Sequence, residues 1–303
     1  MKFIDLKTKS EETEILSPFV LCLGNFDGVH LGHRQLIKEA VKFKNDHPNV
    51  KCGAWLFENL SSKSAKPIFS TEQKLEAFSK LGLDYAFIAD FHSVRSLSPE
   101  VFVNEVLKSE CRCVHAICGE NFRFGAKASA NAEDLVFLMD ENATVVPLLK
   151  SDGEVVSSTL IRSLLELGEI ERANLLLGDC YSVCEPVLHG KALGRTLGIP
   201  TINQSLPDDR LILKGGIYAT VCYIDEKKYA GVTNVGVRPT VEDSTAKNIE
   251  THIIGFSDDC YGKRVKTEFY TRIRDEIKFS SVDELKDQIT KDIDTVKEYF
   301  KSK

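Results

Sequence analysis

Between Phe19 and about Gly178, short apolar runs alternate with stretches of helical length: FVLCLG, HRQLIKEAVKFK, CGAWLF, TEQKLEAFSKLG, YAFIADF, PEVFVNEVLKS and VHAICG. An apolar run of strand length followed by an amphipathic helix, repeated, is satisfied by βαβ units, in which the helices cover a parallel sheet. This part is expected to be an α/β domain with a parallel sheet and helices on both faces. Near Asp179 the texture changes to turn-rich strand segments, YSVCEPVLHG, IYATVCYID, KYAGVTNVG, IETHIIGF and RVKTEFYTRI, which predict a small antiparallel β-barrel. The last segment places Val282, Leu285, Ile289, Ile293, Val296 and Phe300 on one helical stripe, with Ser281 and Glu284 spaced as a capping box. Residues 168–178 (GEIERANLLLG) read as a short helix between two glycines, and the boundary is set just after it, giving domains 1–180 and 181–303.

At 303 residues, 43% hydrophobic and 28% charged, the chain has the balance of a globular protein with room for two domains. A net charge of -6 supplies no field to hold a polynucleotide, so a nucleic-acid partner is excluded and any phosphate chemistry concerns small nucleotides gripped locally. No run approaches the roughly 18 apolar residues that span a bilayer, and the charged start lacks a signal peptide's apolar core. A cytoplasmic protein without membrane association is expected. Nine cysteines, an odd number sitting mostly in apolar runs, suit reduced thiols, and the cluster Cys111, Cys113 and Cys118 lacks the paired C-x-x-C of a zinc site.

The string Leu23-Gly24-Asn25-Phe26-Asp27-Gly28-Val29-His30-Leu31-Gly32-His33 follows the first buried strand and leads into a helix near Arg34. At such a junction glycines let the backbone approach a phosphate, and free helix N–H groups favour negative charge. His30 and His33, three residues apart, can face one pocket and donate hydrogen bonds to triphosphate oxygens as an α-phosphate is attacked. Taken locally, the same string is a tight turn whose histidines cap a helix. As a whole it resembles the G-x-F-D-G-x-H-x-G-H signature of the nucleotidyltransferase superfamily, which implies a Rossmann-like domain with Gly24, Phe26, Asp27, Gly28 and Gly32 at ATP. Val156-Ser157-Ser158-Thr159-Leu160-Ile161-Arg162 resembles the superfamily's I-S-S-T-x-x-R element, implying Ser158, Thr159 and Arg162 on ATP phosphates. Gly119-Glu120-Asn121-Phe122-Arg123-Phe124-Gly125 resembles the loop of the flavin-adenylating members, implying Asn121, Phe122 and Phe124 at the flavin; as plain strand residues, Phe122 and Phe124 would be core. After Phe57, where relatives carry an acidic-Pro-His-Pro stretch, this chain reads Glu58-Asn59-Leu60-Ser61-Ser62, and the loop after Gly125 reads AKASANAED in place of a basic one.

In the barrel region, Gly190-Lys191-Ala192-Leu193-Gly194-Arg195-Thr196-Leu197-Gly198-Ile199-Pro200-Thr201-Ile202-Asn203 resembles the G-x-x-x-G-R-x-x-G-x-P-T-A-N stretch of riboflavin kinases, with Ile202 for the usual small residue. The resemblance implies Gly190, Lys191, Gly194 and Gly198 around ATP phosphates, and Thr201 and Asn203 on Mg²⁺, an ion satisfied by one or two protein oxygens plus phosphates and water. Asn234-Val235-Gly236-Val237-Arg238-Pro239-Thr240, Ile249-Glu250-Thr251-His252 and Arg274-Asp275-Glu276-Ile277-Lys278-Phe279 continue the likeness in order and spacing over roughly residues 180–300. It implies Glu250 as the catalytic base on the ribityl hydroxyl, and Arg238 and Arg274 at the flavin, a surface ion pair being the plainer role for Arg274. Alternation puts Glu250, His252 and Ile254 on one strand face and Thr251 and Ile253 on the other.

Together the two halves resemble the prokaryotic bifunctional riboflavin kinase/FAD synthetase family. The implied activity is ATP-dependent phosphorylation of riboflavin to FMN and adenylylation of FMN to FAD with release of pyrophosphate. The changed stretch after Phe57 motivates one alternative, a riboflavin kinase with a weak or degenerate adenylyltransferase domain. A non-catalytic flavin-binding regulator is the other, and Glu250, Thr201, Asn203, His30 and His33 weigh against it, since a pure binder needs no phosphate-handling groups.

Overall fold

A computed structural model describes residues 2–6, 17–58, 66–190, 194, 198–207, 210–211, 213–237 and 247–303. The chain forms two compact units, Met1–Ser158 and Thr159–Lys303.

The first unit is built on a six-stranded parallel sheet of order β1-β4-β3-β2-β5-β8: β1 (Lys2–Asp5), β2 (Phe19–Leu23), β3 (Lys51–Glu58), β4 (Tyr85–Asp90), β5 (Cys113–Gly119) and β8 (Ala143–Val146). Every residue of β2 is buried, as a strand covered on both faces requires. Two short antiparallel pairs, β6 (Arg123–Phe124) with β7 (Ala130–Asn131) and β9 (Lys150–Ser151) with β10 (Glu154–Val155), lie off the sheet. The helices are α1 (Leu31–Asp46), α2 (Thr71–Lys80), α3 (Phe91–Val94), α4 (Pro99–Val101, running on as a π-helical stretch Phe102–Glu110) and α5 (Ala132–Leu138). Strand order reverses at β2, with β3 on one side and β5 on the other. The crevice beyond the carboxyl end of that strand is where open α/β sheets bind ligands, and the Gly24–His33 string lies there. The two sheet edges, β1 and β8, were not expected from the sequence pattern.

The second unit begins with α6 (Ser158–Leu167, shared at its first residue) and α7 (Ile170–Leu177), followed by an antiparallel sheet of order β11-β16-β13-β14-β15-β12. Its strands are β11 (Ser182–Pro186), β12 (Ile202–Ser205), β13 (Gly216–Ile224), β14 (Lys227–Val237), β15 (Lys247–Ile253) and β16 (Arg264–Arg274). Leu188 N donates to Asn203 O at 2.8 Å, and Gln204 Nε2 reaches Glu185 O and Val265 O at 2.9 and 2.7 Å, drawing the two edges together into a barrel. Its interior carries a ladder of hydroxyls, Thr220 to Thr233 at 2.7 Å and Thr233 to Thr251 at 2.8 Å. α6 and α7 belong to the same compact unit as the barrel. The reason is local: Asn174 of α7 donates to Phe269 O at 2.8 Å and accepts from Tyr181 N at 2.7 Å, and Lys214 N donates to Leu165 O of α6.

The terminal helix α8 (Val282–Lys301) packs Val296 fully buried against Ile217, Ala219 and Val232 on the barrel's outer face. Two details depart from expectation. Val282 is 58% exposed, outside the buried stripe. The capping box is half formed: Ser281 Oγ accepts from Glu284 N, but the Glu284 carboxylate accepts from Ser280 N and Oγ instead of from Ser281 N.

Two candidate active sites

The first site grows out of the turn between β2 and α1. Phe26 and Val29 both have positive φ, 50° and 42°, a conformation costing roughly 1–3 kcal/mol per non-glycine residue, Val29 being β-branched besides. What holds the strain is Asp27. Its buried Oδ1 accepts from Ile68 N at 2.8 Å and Phe69 N at 3.3 Å, charge-assisted bonds worth about 1.5–3 kcal/mol each and so of the size needed. Lys74 of α2 adds a third tie, donating to Asn25 O at 3.3 Å. The carboxylate expected at ATP is thus turned onto backbone amides: Asp27 shapes the loop. Phe26 likewise is fully buried, edge-on to Phe78 at 5.3 Å and 5.0 Å from the His33 ring.

His30 caps α1, its Nδ1 accepting from His33 N at 3.4 Å, which leaves the ring proton on Nε2 as a donor. The two imidazoles stack with centroids 3.6 Å apart, with Gly32 letting the His30 ring lie against the backbone. Charging both rings at that separation would cost about 4–5 kcal/mol at an effective dielectric near 20. Burial lowers His30 to about 4, and burial, then His30 and Lys74, hold His33 well below the usual histidine range, so both are neutral hydrogen-bonding groups at pH 7. His33 Nδ1 is buried with no partner among the described residues. Gly28 adopts φ 79° within the turn, and Ser158 Oγ donates to Asp27 O at 2.8 Å. Thr159 and Arg162 follow on α6. Of the third motif, Phe124 is a core residue stacked on Phe122 at 5.6 Å and tilted against Phe102, whereas Phe122 is half-buried and Asn121 exposed.

The second site lies on the barrel. In register across the sheet, Asn203 of β12 faces Glu250 of β15, Glu250 faces Asn234 of β14, Asn234 faces Ile217 of β13, and Ile217 faces Arg274 of β16. Thr251 and Ile253 point inward and are buried, while Glu250 and His252 line an outer cavity of about 290 Å³ with Asn234, Arg274, Leu285 and Ile289. A second cavity of about 170 Å³, at Val187, Ile202, Phe256 and Tyr261, shares Thr201 with the first. Asn248, two residues before Glu250 and on its face, donates to Glu250 Oε1 at 2.6 Å and to Asn203 Oδ1 at 3.3 Å, joining the carboxylate to the amide. His252 Nδ1 donates to Pro200 O at 2.8 Å, fixing the turn that carries Thr201. The glycines earlier in that segment are required for close approach: a Cβ at Gly190 would sit 2.4 Å from Asn203 Nδ2, and one at Gly194 2.4 Å from Ile199 O. Gly198 takes φ 76° in the turn before Thr201. Lys191 and Arg238, and Asn59 through Ser62 of the changed stretch, lie outside the described residues.

A family model for FAD synthetase matches residues 12–160, and one for riboflavin kinase matches residues 177–300. A bifunctional riboflavin kinase/FMN adenylyltransferase of Listeria monocytogenes is 33% identical over 97% of this chain and 95% of its own length. The chain belongs to this bifunctional riboflavin kinase/FMN adenylyltransferase family. The Bacillus subtilis member is 32% identical over 93% of this chain and 92% of its own. A crystal structure from Streptococcus pneumoniae, described as a macrolide-efflux protein, superposes with TM-score 0.89 at 28% identity, covering 98% of this chain and 99% of that one. Among the described residues, no helix is long and apolar enough to cross a membrane. The chain is an enzyme of flavin cofactor synthesis, with riboflavin kinase and FMN adenylyltransferase activities.

In the kinase barrel Arg274 has a structural partner. Arg274, which lines the cavity, is engaged by Asp292 of α8, Nε to Oδ1 at 3.0 Å and Nη2 to Oδ2 at 2.6 Å, so its guanidinium also ties the helix to the barrel. Asp292 is 3% exposed and also accepts from Gln288 at 2.9 Å. Sequence reasoning passed over it, although a carboxylate between Ile289 and Val296 on an apolar stripe signals a buried partner. Removing one member of a buried pair strands the other charge, so Asp292→Ala is expected to destabilise the barrel by about 3 kcal/mol, seen as a lower urea midpoint.

Proposed function

We propose that the barrel phosphorylates the terminal ribityl hydroxyl of riboflavin and that the parallel-sheet unit transfers AMP from a second ATP to FMN, the working boundary being 1–180 and 181–303. Glu250, oriented by Asn248, takes the hydroxyl proton as that oxygen bonds to the γ-phosphorus and ADP leaves. The flavin is read as lying in the 290 Å³ cavity and the nucleotide in the other. What carries this reading is Thr201, common to both cavities, beside the Asn203–Glu250 row.

Thr201 and Asn203 offer neutral hard oxygens in a cradle that only glycine at 190 leaves open, a donor set that suits Mg²⁺ arriving with ATP. The ion would supply neutralisation of phosphate charge. In the other unit, Nε2–H of His30 and the His33 imidazole would donate to the α-phosphate oxygens as an FMN phosphate oxygen attacks and pyrophosphate leaves, with Ser158, Thr159 and Arg162 on the phosphates and Asn121 and Phe122 toward the flavin. All nine cysteines are free, which suits a cytoplasmic location.

Incubation with riboflavin and MgATP, followed by separation of the flavins, should show FMN first and FAD after it; absence of FMN would sink the kinase assignment. Thr201→Val should raise the magnesium concentration needed for half-maximal FMN formation about tenfold.

A further inference from the structure

In the wall of the larger barrel cavity, Asn234 Oδ1 is buried and meets no hydrogen-bond donor among the described residues. A buried acceptor left unmade is costly, and folded proteins keep few of them, so one on a residue that lines a cavity points to a donor supplied by the ligand. The position narrows which donor. Asn234 faces Glu250 in register on the neighbouring strand, and both line the same cavity. Val232, two residues before it on the same face, and Ile217, across from it on β13, are apolar, while the Glu276 carboxylate lines the cavity on the side of Gly236.

We infer that the Asn234 carboxamide binds a hydroxyl of the polyol chain of the flavin substrate, and so makes the barrel selective for flavins that carry the ribityl chain. The inference rests on reading the cavity as the flavin site and Glu250 as the base at the terminal hydroxyl. Neighbouring strands lie about 4.8 Å apart, so the Glu250 and Asn234 side chains both fall within the span of one extended polyol chain. A carboxamide both accepts from and donates to such a group. The bare ring system would leave Asn234 unpaired, and a site built around a substrate hydroxyl rejects the analogue that lacks it.

The test compares riboflavin with lumiflavin, which keeps the ring and its imide N–H but has no polyol, by quenching of flavin fluorescence with Mg-ADP present. In Asn234→Ala, riboflavin binding should weaken about tenfold and lumiflavin binding should not change. Asn234→Ser, which restores a short polar group, should recover part of the riboflavin loss. Equal weakening of both ligands would move the contact to the ring and overturn the inference, as would riboflavin binding unaltered in both variants. Full FMN formation by Glu250→Gln would instead overturn the underlying reading of the site, whichever way the Asn234 variants behave.

Discussion

Glu250→Gln is expected to slow FMN formation about a thousandfold while conversion of supplied FMN to FAD proceeds at the parent rate. The substitution keeps the side-chain oxygen that accepts from Asn248 at 2.6 Å, so the local network between β12 and β15 stays in place. What disappears is the proton acceptor and the negative charge. The loss is therefore chemical, and a single variant distinguishes a base from a structural strand residue. Time courses from riboflavin and from FMN, run in parallel, provide the check.

His33→Ala is expected to have the opposite pattern, with FAD formation reduced about a hundredfold and FMN formation retained. Of the two histidines it is the cleaner probe. The His30 side chain caps α1 by accepting from His33 N, and removing a cap costs roughly 1 kcal/mol of helix stability in addition to any catalytic effect. The backbone N–H of His33 survives its substitution, and the imidazole that is lost has a buried Nδ1 without a partner among the described residues. His30→Asn, which preserves a capping oxygen, separates the two contributions of His30: a rate as low as that of His30→Ala assigns the loss to the phosphate contact.

The elements most readily read from the sequence are those that are mostly buried. β2 through β5 are continuous apolar runs because both of their faces are covered, and their order of appearance predicted a parallel sheet. β1 and β8 sit at the edges, where one side of the strand lacks a neighbour and the residues, KFID and ATVV, form no long apolar block. In the barrel, β12 was concealed for a related reason: its residues INQS turn Asn203 toward the site and Gln204 toward backbone carbonyls, so function and closure have replaced the apolar pattern.

For the sites, the motif strings located the right loops but not the task of each side chain. Phe26 and Asp27 stand between glycines and histidines that line a pocket, yet their partners Phe78 and Ile68 lie far along the chain, so no local spacing could reveal that they brace the loop. Arg274 is the same case, its partner Asp292 being on the next element. The face alternation of β15 was legible because period two is a property of the strand itself, and it separated Glu250 and His252 from Thr251 and Ile253; which of the two faces turns inward was not legible from spacing. Asn248 and Asn234 could have been found by extending that reasoning one step, to the residue two places before the base and to the residue across from it.

The central claim is that one chain holds two independent active sites working in series. It is tested most directly by mixing Glu250→Gln with His33→Ala in the presence of riboflavin and MgATP and following FAD. Neither variant alone should make FAD from riboflavin, the first for want of FMN and the second because FMN accumulates, and the mixture should make it through FMN released into solution. If Glu250→Gln also fails to convert supplied FMN, or if the mixture stays inactive while FMN accumulates, the two sites are not independent and the account is wrong.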